Sequence, residues 1–245
     1  MKYLTYDTIA DDYDSKRKKP WKPLKDFLSF LSKKGYTIKG TCIDLGSANG
    51  RHFELFKNSN NRMIGIDNSS ALLKLALERL RSSNSYSKIE LNKIQLILAD
   101  LKFIPIRNHA IQNVFSVATI HHIKGQLERA NVITQLLDLL KEEGYLLITV
   151  WRRWHKRVKK HFIVDWFKRI YPRYKHQQEK LGLKEFGDKF VPWTFTRKDV
   201  TFHRFYHFFS KMEIKKLLEN FIIREFKIMG GPTKKDNFFI LAQKK

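Results

Sequence analysis

Apolar and polar positions follow one another in blocks along this chain, and two short apolar runs set its rhythm. Residues 41–45, Thr-Cys-Ile-Asp-Leu, read as a strand that empties into the turn Gly46-Ser47-Ala48-Asn49-Gly50, and residues 63–67, Met-Ile-Gly-Ile-Asp, as a second strand ending in an acid. Further strands are predicted at 94–99, 113–118 and 145–151. Helical spacing is predicted at 51–58, at 69–82 with Ser69 as N-cap, and at 126–141 with Gly144 as the stop. Strand-helix units repeated in this way predict a parallel sheet with helices on both faces.

The flanks complete the pattern. Residues 6–14 read as a short helix, and 23–34, with Leu24, Phe27, Leu28 and Leu31 on one face, as a longer one. Residues 210–220 read as a helix in which Ser210 and Glu213 have capping-box spacing. Two strands at 221–228 and 237–243 then flank Gly230-Gly231-Pro232, which suggests an antiparallel hairpin. The expected organisation is one α/β domain over 1–245: a helical segment (1–39), a βα core (40–151), a basic aromatic insertion after the fifth strand (152–209), and a closing helix and hairpin (210–245).

Composition narrows the chemistry. The single cysteine, Cys42, lies inside an apolar strand, which excludes a disulfide framework and a cysteine metal site; no metal is expected. No run of 18 apolar residues exists and the first 20 residues lack an apolar signal core, so a cytoplasmic protein without a membrane span is expected. The formal net charge is +24. Residues 152–204 hold 16 Lys and Arg against 5 Asp and Glu, interleaved with Trp154, Trp166, Tyr171, Tyr174 and Trp193. Positive charge gathered on a stretch rich in aromatics points to nucleic acid more than to a uniformly basic surface.

The turn at 46–50 lacks the central glycine of a dinucleotide loop, and no Gly-Lys-Ser or Gly-Lys-Thr follows the strand, so a phosphate cradle is not indicated. Asp44-x-Gly46-x-x-x-Gly50 resembles motif I of the class I S-adenosylmethionine methyltransferases. That resemblance implies a Rossmann-like seven-stranded sheet with S-adenosyl-L-methionine as cofactor. Asp44 would lie near its amino-acid end, Asp67 would accept from the ribose hydroxyls, and Asp100 would bond the adenine amino group. Gly46, Ser47, Asn49, Gly50, Asn68, Leu101 and Ala118 would complete the seat.

A narrower resemblance covers nearly the whole chain. Tyr6-x-x-Ile9-Ala10, Arg17-Lys18-Lys19-Pro20-Trp21, Asp44-Leu45-Gly46-x-x-Asn49-Gly50, Ile120-His121-His122, Val150-Trp151, Val191-Pro192-Trp193 and His203-Arg204-Phe205-Tyr206-His207 resemble the tRNA carboxymethyluridine methyltransferases, which act at the wobble position. Ser47 and Ala48 stand where that family usually has Cys and Gly, and Phe205 where it has Tyr. The resemblance implies methyl transfer to the carboxylate of 5-carboxymethyluridine, an acceptor already ionised at neutral pH that needs no general base.

Arg17 and His121 are then expected to orient the carboxymethyl group or the flipped uracil, with Tyr206 and His207 supporting the reacting nucleotide alongside Arg204. Adjacent histidines in a strand-to-helix turn point apart, so one packs inward and one faces the pocket, here taken as His121. Lys19, Trp21 and Trp193 are candidate substrate contacts. Arg152, Arg153, Lys156, Arg157, Lys159 and Lys160 would hold the tRNA anticodon stem-loop, several of them on one face if the segment is helical. Members of the resembled family work with a small zinc-binding activator subunit, expected here at the apolar edge strand 94–99. The competing readings are a methyltransferase for another RNA or a small molecule, and a non-catalytic tRNA-binding scaffold.

Overall fold

The structure, a computed structural model, describes residues 6–57, 61–83, 86–196 and 200–245. Five strands, β1 (Thr41–Leu45), β2 (Arg62–Asp67), β3 (Ile94–Leu98), β4 (Ile111–Val117) and β5 (Leu140–Trp151), run parallel to their neighbours. A two-stranded unit follows, β6 (Asp188–Thr194) and β7 (Thr201–His207), and then the hairpin of β8 (Phe221–Met229) and β9 (Asn237–Lys244) closes the main sheet, β9 pairing antiparallel with both β5 and β8. The order β3-β2-β1-β4-β5-β9-β8 is the seven-stranded Rossmann-like arrangement expected, with the closing hairpin at one edge and β3 at the other.

Alternation along the strands decides what faces where. Ile43 and Leu45 join Val114, Leu146 and Ile148 in a core under α5 (Gln126–Leu139), while Cys42, Phe115, Leu147 and Phe239 pack with Leu24, Phe27 and Leu31 of α2 (Lys22–Lys33) on the opposite face. Helices thus cover both faces, each fixed by the period of its apolar side. In α3 (Ser70–Ser82), Ser69 caps as expected, its Oγ accepting from the Leu72 N–H at 3.2 Å. Ser210 and Glu213 form the expected capping box on α8 (Lys211–Leu217).

The N-terminal segment, a 3-10 turn at Tyr6–Ile9 continuing into α1 (Ala10–Lys16), is tied across the mouth of the sheet. Asp7 Oδ1 accepts from the Ser69 hydroxyl at 2.7 Å and the Ala71 N–H at 2.9 Å, and Asn49 Nδ2 donates to Asp14 Oδ1 at 2.7 Å.

Four local expectations change. The helix expected at 51–58 is only a 3-10 turn at Phe53–Leu55; Asn58 lies outside the described residues. Gly50 turns at φ +67°, and the Phe53 ring plugs the space against Gly50, Gly65 and Ala76, so burying it overrides helical spacing. Gly144 does not stop the preceding helix: α5 ends at Leu139 because Leu140 already pairs with Ile111, and the left-handed Glu143 (φ +60°) turns the chain inside β5. A short helix α4 (Lys88–Leu91), with its own Ser87/Glu90 capping box, stands ahead of β3 where the apolar pattern predicts no element. Finally, 152–158 is a series of turns, and helix resumes only in α6 (Lys159–Lys168) and α7 (Pro172–Lys180).

Candidate active site

The carboxyl ends of β1, β2, β3 and β4 open on a cleft of 1540 Å3, where a parallel α/β sheet places its ligands. Gly46, Ser47, Asp67, Asn68, Asp100, Leu101 and Ala118 line it. Gly46 turns at φ +73°, and a Cβ there would collide with the Thr119 side chain, so only glycine lets the loop pass so close to β4. Asp67 is fixed by the loop it faces: the Ala48 N–H donates to Oδ2 at 2.8 Å and the Ser69 N–H to Oδ1 at 2.9 Å. Each oxygen keeps a lone pair for further donors. Asp100 Oδ1 accepts from the Lys102 N–H at 2.9 Å, capping its own turn.

Asp44, Asn49 and Gly50 lie behind this lining. Asp44 is 1% exposed and neither carboxylate oxygen has a hydrogen-bond partner; burial, then Asp67, pushes its carboxyl up to about 7, against Arg51. Ser47 Oγ and Asn49 Oδ1 are likewise buried without partners. Unsatisfied buried acceptors are costly, so a seat with three acceptor groups of this kind fits a ligand that brings cationic N–H donors, as the ammonium of S-adenosylmethionine does. Asn49 has a second task, its amide donating to the Arg17 carbonyl at 3.1 Å.

Across the cleft stands a basic, aromatic wall. Arg17, Lys19, Trp21, Arg157, Arg204 and Tyr206 line it, with Tyr6, Tyr13 and His122. The Arg204 guanidinium lies 4.6 Å from the Trp193 ring and 5.1 Å from the Tyr206 ring, and that of Arg17 lies 5.7 Å from Trp193. Trp193 Nε1 donates to Asp12 Oδ2 at 2.8 Å. Although burial pushes the Asp12 carboxyl up, hydrogen bonds from Lys16, Thr196 and Trp193 hold it well below the usual range. Asp12 therefore anchors β6 to α1 as an anion.

The histidine assignment is corrected. His121 is fully buried, stacks on Tyr206 at 4.7 Å, and has no hydrogen-bond partner at either nitrogen; His122 is the one that borders the cleft. His122 Nδ1 is 3.0 Å from the Phe205 carbonyl oxygen, which only accepts, so Nδ1 carries the proton and Nε2 accepts from the Tyr6 hydroxyl at 3.0 Å. Burial pushes the His122 pKa down to about 3. It is a neutral positioning group with its lone pair already used.

His207 is also not a cleft residue. It is buried with Nδ1 2.8 Å from Asp188 Oδ1, inside a network in which Arg129 pairs with Glu185 and Arg153 with Glu213. Glu185, Asp188 and His207 bring ligand-type atoms together, but these arginines already neutralise the carboxylates around them. Arg153 leaves the RNA-binding set for the same reason: its Nη2 donates to Glu213 Oε2 and the Phe186 carbonyl, both at 2.6 Å, and its Nε to the Phe208 carbonyl at 3.0 Å. Arg153→Ala is expected to cost about 3 kcal/mol of stability, seen as a lower Tm, because it strands buried acceptors; RNA affinity of the folded fraction should not change. Arg152 is held to the Lys235 carbonyl at 3.0 Å, and Lys156, Lys159 and Lys160 are exposed outside the cleft. Because 152–158 is not helical, these six do not share one helix face.

Three buried histidines and the half-buried His122 predict an acid response. Burial lowers the pKa of His52, His121, His122 and His155 below the usual 6.5. The unfolded chain takes up protons below about 6.5 that the fold excludes, so this stability is complete above that pH and is lost as pH falls. Asp44, raised to about 7, and Asp67, also raised by burial, oppose with a proton each. Tm should begin to fall near pH 6.5, and a flat profile down to pH 5 would contradict this balance.

The fold is that of the class I S-adenosylmethionine-dependent methyltransferases. Residues 43–148 match the family described as methyltransferase domain. A solved S-adenosylmethionine-dependent methyltransferase of Methanosarcina mazei has the same fold, with a TM-score of 0.64 at 20% identity over 86% of this chain and 96% of that one. The tRNA (carboxymethyluridine(34)-5-O)-methyltransferase of Schizosaccharomyces pombe is 25% identical over 99% of this chain and 95% of its own length. The Xenopus tropicalis protein of that name, alkbh8, is 30% identical over 61% of this chain, which corresponds to 20% of the longer protein. The chain carries a methyltransferase domain, and the solved proteins that share its fold include S-adenosylmethionine-dependent methyltransferases.

Proposed function

We infer that the chain methylates the carboxylate of 5-carboxymethyluridine at the tRNA wobble position, giving the methyl ester. The observation that carries this reading is the acceptor wall: Arg17 and Arg204 face the cleft, and His122 on the same wall is neutral and committed to Tyr6. Cations beside a histidine whose lone pair is already used suit an acceptor that is already an anion. The proteins that the chain resembles carry this activity in their names.

S-adenosylmethionine supplies an electrophilic methyl group. The chain supplies placement, which in well-oriented systems contributes up to roughly 7 to 11 kcal/mol. Asp67 and the Gly46 turn hold the cofactor side. On the acceptor side, the Phe205 carbonyl orients His122, His122 orients Tyr6, and the Tyr6 oxygen lies beside Arg204, whose hydrogen bond favours the tyrosine anion against the stronger effect of burial. Arg204 can then steer a carboxylate while its planar faces stay on Trp193 and Tyr206. Arg157, Lys19 and the exposed Lys156, Lys159 and Lys160 supply phosphate contacts to an anticodon arm.

A partner subunit at β3 belongs to the same reading. β3 is an edge strand with Leu98 60% exposed and the neighbouring Phe103 78% exposed, a surface suited to strand addition. Among the described residues no helix is long and apolar enough to cross a membrane. The deciding experiment is mass spectrometry of tRNA nucleosides from cells lacking the protein. The expected result is loss of the methyl ester with accumulation of 5-carboxymethyluridine, and an unchanged ester level would overturn the reading.

A further inference from the structure

The cleft has a second polar end that the motifs do not mark. β5 runs out in Trp151, which pairs across the sheet with Asn237, the first residue of β9, on the far side of the strand order from Asp67. His155, four residues on, packs its ring 5.5 Å from that of Trp151. Trp151, His155 and Asn237 all border the cleft, together with Arg157 and the Gly231-Pro232 turn. His155 and Asn237 are 0% and 2% exposed, and neither ring nitrogen of His155 nor the Asn237 Nδ2 has a hydrogen-bond partner. Two buried polar side chains that border a ligand cleft unsatisfied are an incomplete binding site.

The donors and acceptors are set by a third residue. His155 Nδ1 stands 3.4 Å from Asp236 Oδ1, and Asp236 is itself held by the Thr233 N–H at 3.2 Å and by the Thr233 hydroxyl. Burial keeps the imidazole neutral against the pull of Asp236. The nearby carboxylate favours the tautomer with the ring proton on Nδ1, which leaves Nε2 as an acceptor, and Asn237, next in the chain to Asp236, brings N–H donors to the same end of the cleft. An acceptor and a donor at one end of the cleft, walled by an indole with a cation at the rim, suit the uracil edge, where N3–H donates and the adjacent carbonyl accepts. Cytosine presents the reverse pattern, with a bare N3 and an amino group, and would set lone pair against lone pair and N–H against N–H.

We propose that His155 and Asn237 form a base-reading subsite that accepts uracil and rejects cytosine, with Asp236 as the positioning residue that fixes the His155 proton. The proposal rests on the acceptor named above and deepens it. It gives the orientation that Arg204 alone cannot, because a carboxylate clamp does not distinguish one pyrimidine from another.

The test compares two anticodon stem-loop RNAs, one carrying 5-carboxymethyluridine and one 5-carboxymethylcytidine, with wild-type protein and with His155→Ala, His155→Gln, Asn237→Ala and Asn237→Ser. Wild type is expected to prefer the uridine RNA by at least about 100-fold in kcat/KM. The variants should lose about 10- to 100-fold on uridine, change little on cytidine, and keep wild-type affinity for S-adenosylmethionine. If both substitutions at one position prevent folding, those at the other decide. A discrimination ratio that stays at the wild-type value while turnover falls would mean a purely structural role and overturn the subsite. Failure of the wild type to methylate the uridine RNA would instead overturn the acceptor reading, and the subsite with it.

Discussion

Asp67→Asn is expected to weaken S-adenosylmethionine binding on the order of 100-fold, although the substitution changes a single atom. Both carboxylate oxygens already receive a backbone N–H, from Ala48 and Ser69. An amide in place of the carboxylate must turn its NH2 toward one of them, leaving two donors face to face. The loop then loses the bond that holds Ala48 at its left-handed φ of +49°, a conformation that a non-glycine residue keeps only when its surroundings enforce it. The ribose hydroxyls meanwhile lose a charged acceptor, and bonds to charged groups are worth about 1.5 to 3 kcal/mol each. Isothermal calorimetry reads the outcome, and a Kd within about threefold of wild type would remove Asp67 from the cofactor seat.

Burial, partly offset by the Ser69 and Ala48 bonds, raises the Asp67 pKa above the ordinary carboxylate value. Protonation removes the acceptor, so cofactor affinity should fall with acid starting above the usual carboxylate range. His122, pushed down to about 3, adds no limb between pH 5 and 8. At saturating cofactor the turnover profile should therefore be flatter in acid than the binding profile.

Much of this half of the site is legible in the sequence because it is built from local rules. The Asp44–Gly50 turn, Asp67 at a strand end and the Ser69 cap need only a strand, a glycine and a helix start, each with its own signature. The other half depends on direction, which spacing does not encode. His121 and His122 share a 3-10 turn, and which of them meets the cleft is decided by Tyr206 stacking on one and Tyr6 bonding the other, contacts from remote elements. Arg152 and Arg153 differ in the same way: a β-bridge from Arg152 to Phe209 turns its neighbour inward, onto Glu213 and the Phe208 carbonyl. In 152–204 the basic and aromatic residues obscure two strands, whose register sets Val191 opposite Arg204 and Trp193 opposite Phe202. That pairing brings the two halves of the acceptor wall together. The charge surplus pointed to the segment without distinguishing residues facing the cleft from those in a structural network.

Arg204→Ala should abolish most of the turnover, by about 100- to 1000-fold in kcat/KM, while cofactor affinity stays at the wild-type value. The guanidinium rests against Trp193 and Tyr206, and its Nε is buried without a partner. Its proton is available to a ligand and to little else. Arg204→Lys should not restore activity, because an ammonium offers neither the flat face that stacks on two rings nor a fork that matches a carboxylate. Tyr6→Phe keeps the ring but removes the oxygen beside Arg204 and the hydroxyl that occupies His122 Nε2, so a smaller loss, about 10-fold, is expected. The graded order, alanine and lysine severe and the distant phenylalanine mild, separates orientation of an anionic acceptor from simple packing. Packing alone would be eased by the aliphatic stem of lysine and hurt little by the loss of one hydroxyl. Single-turnover methylation of the modified anticodon arm measures all three, and near-normal rates for Arg204→Ala would place the acceptor elsewhere in the cleft.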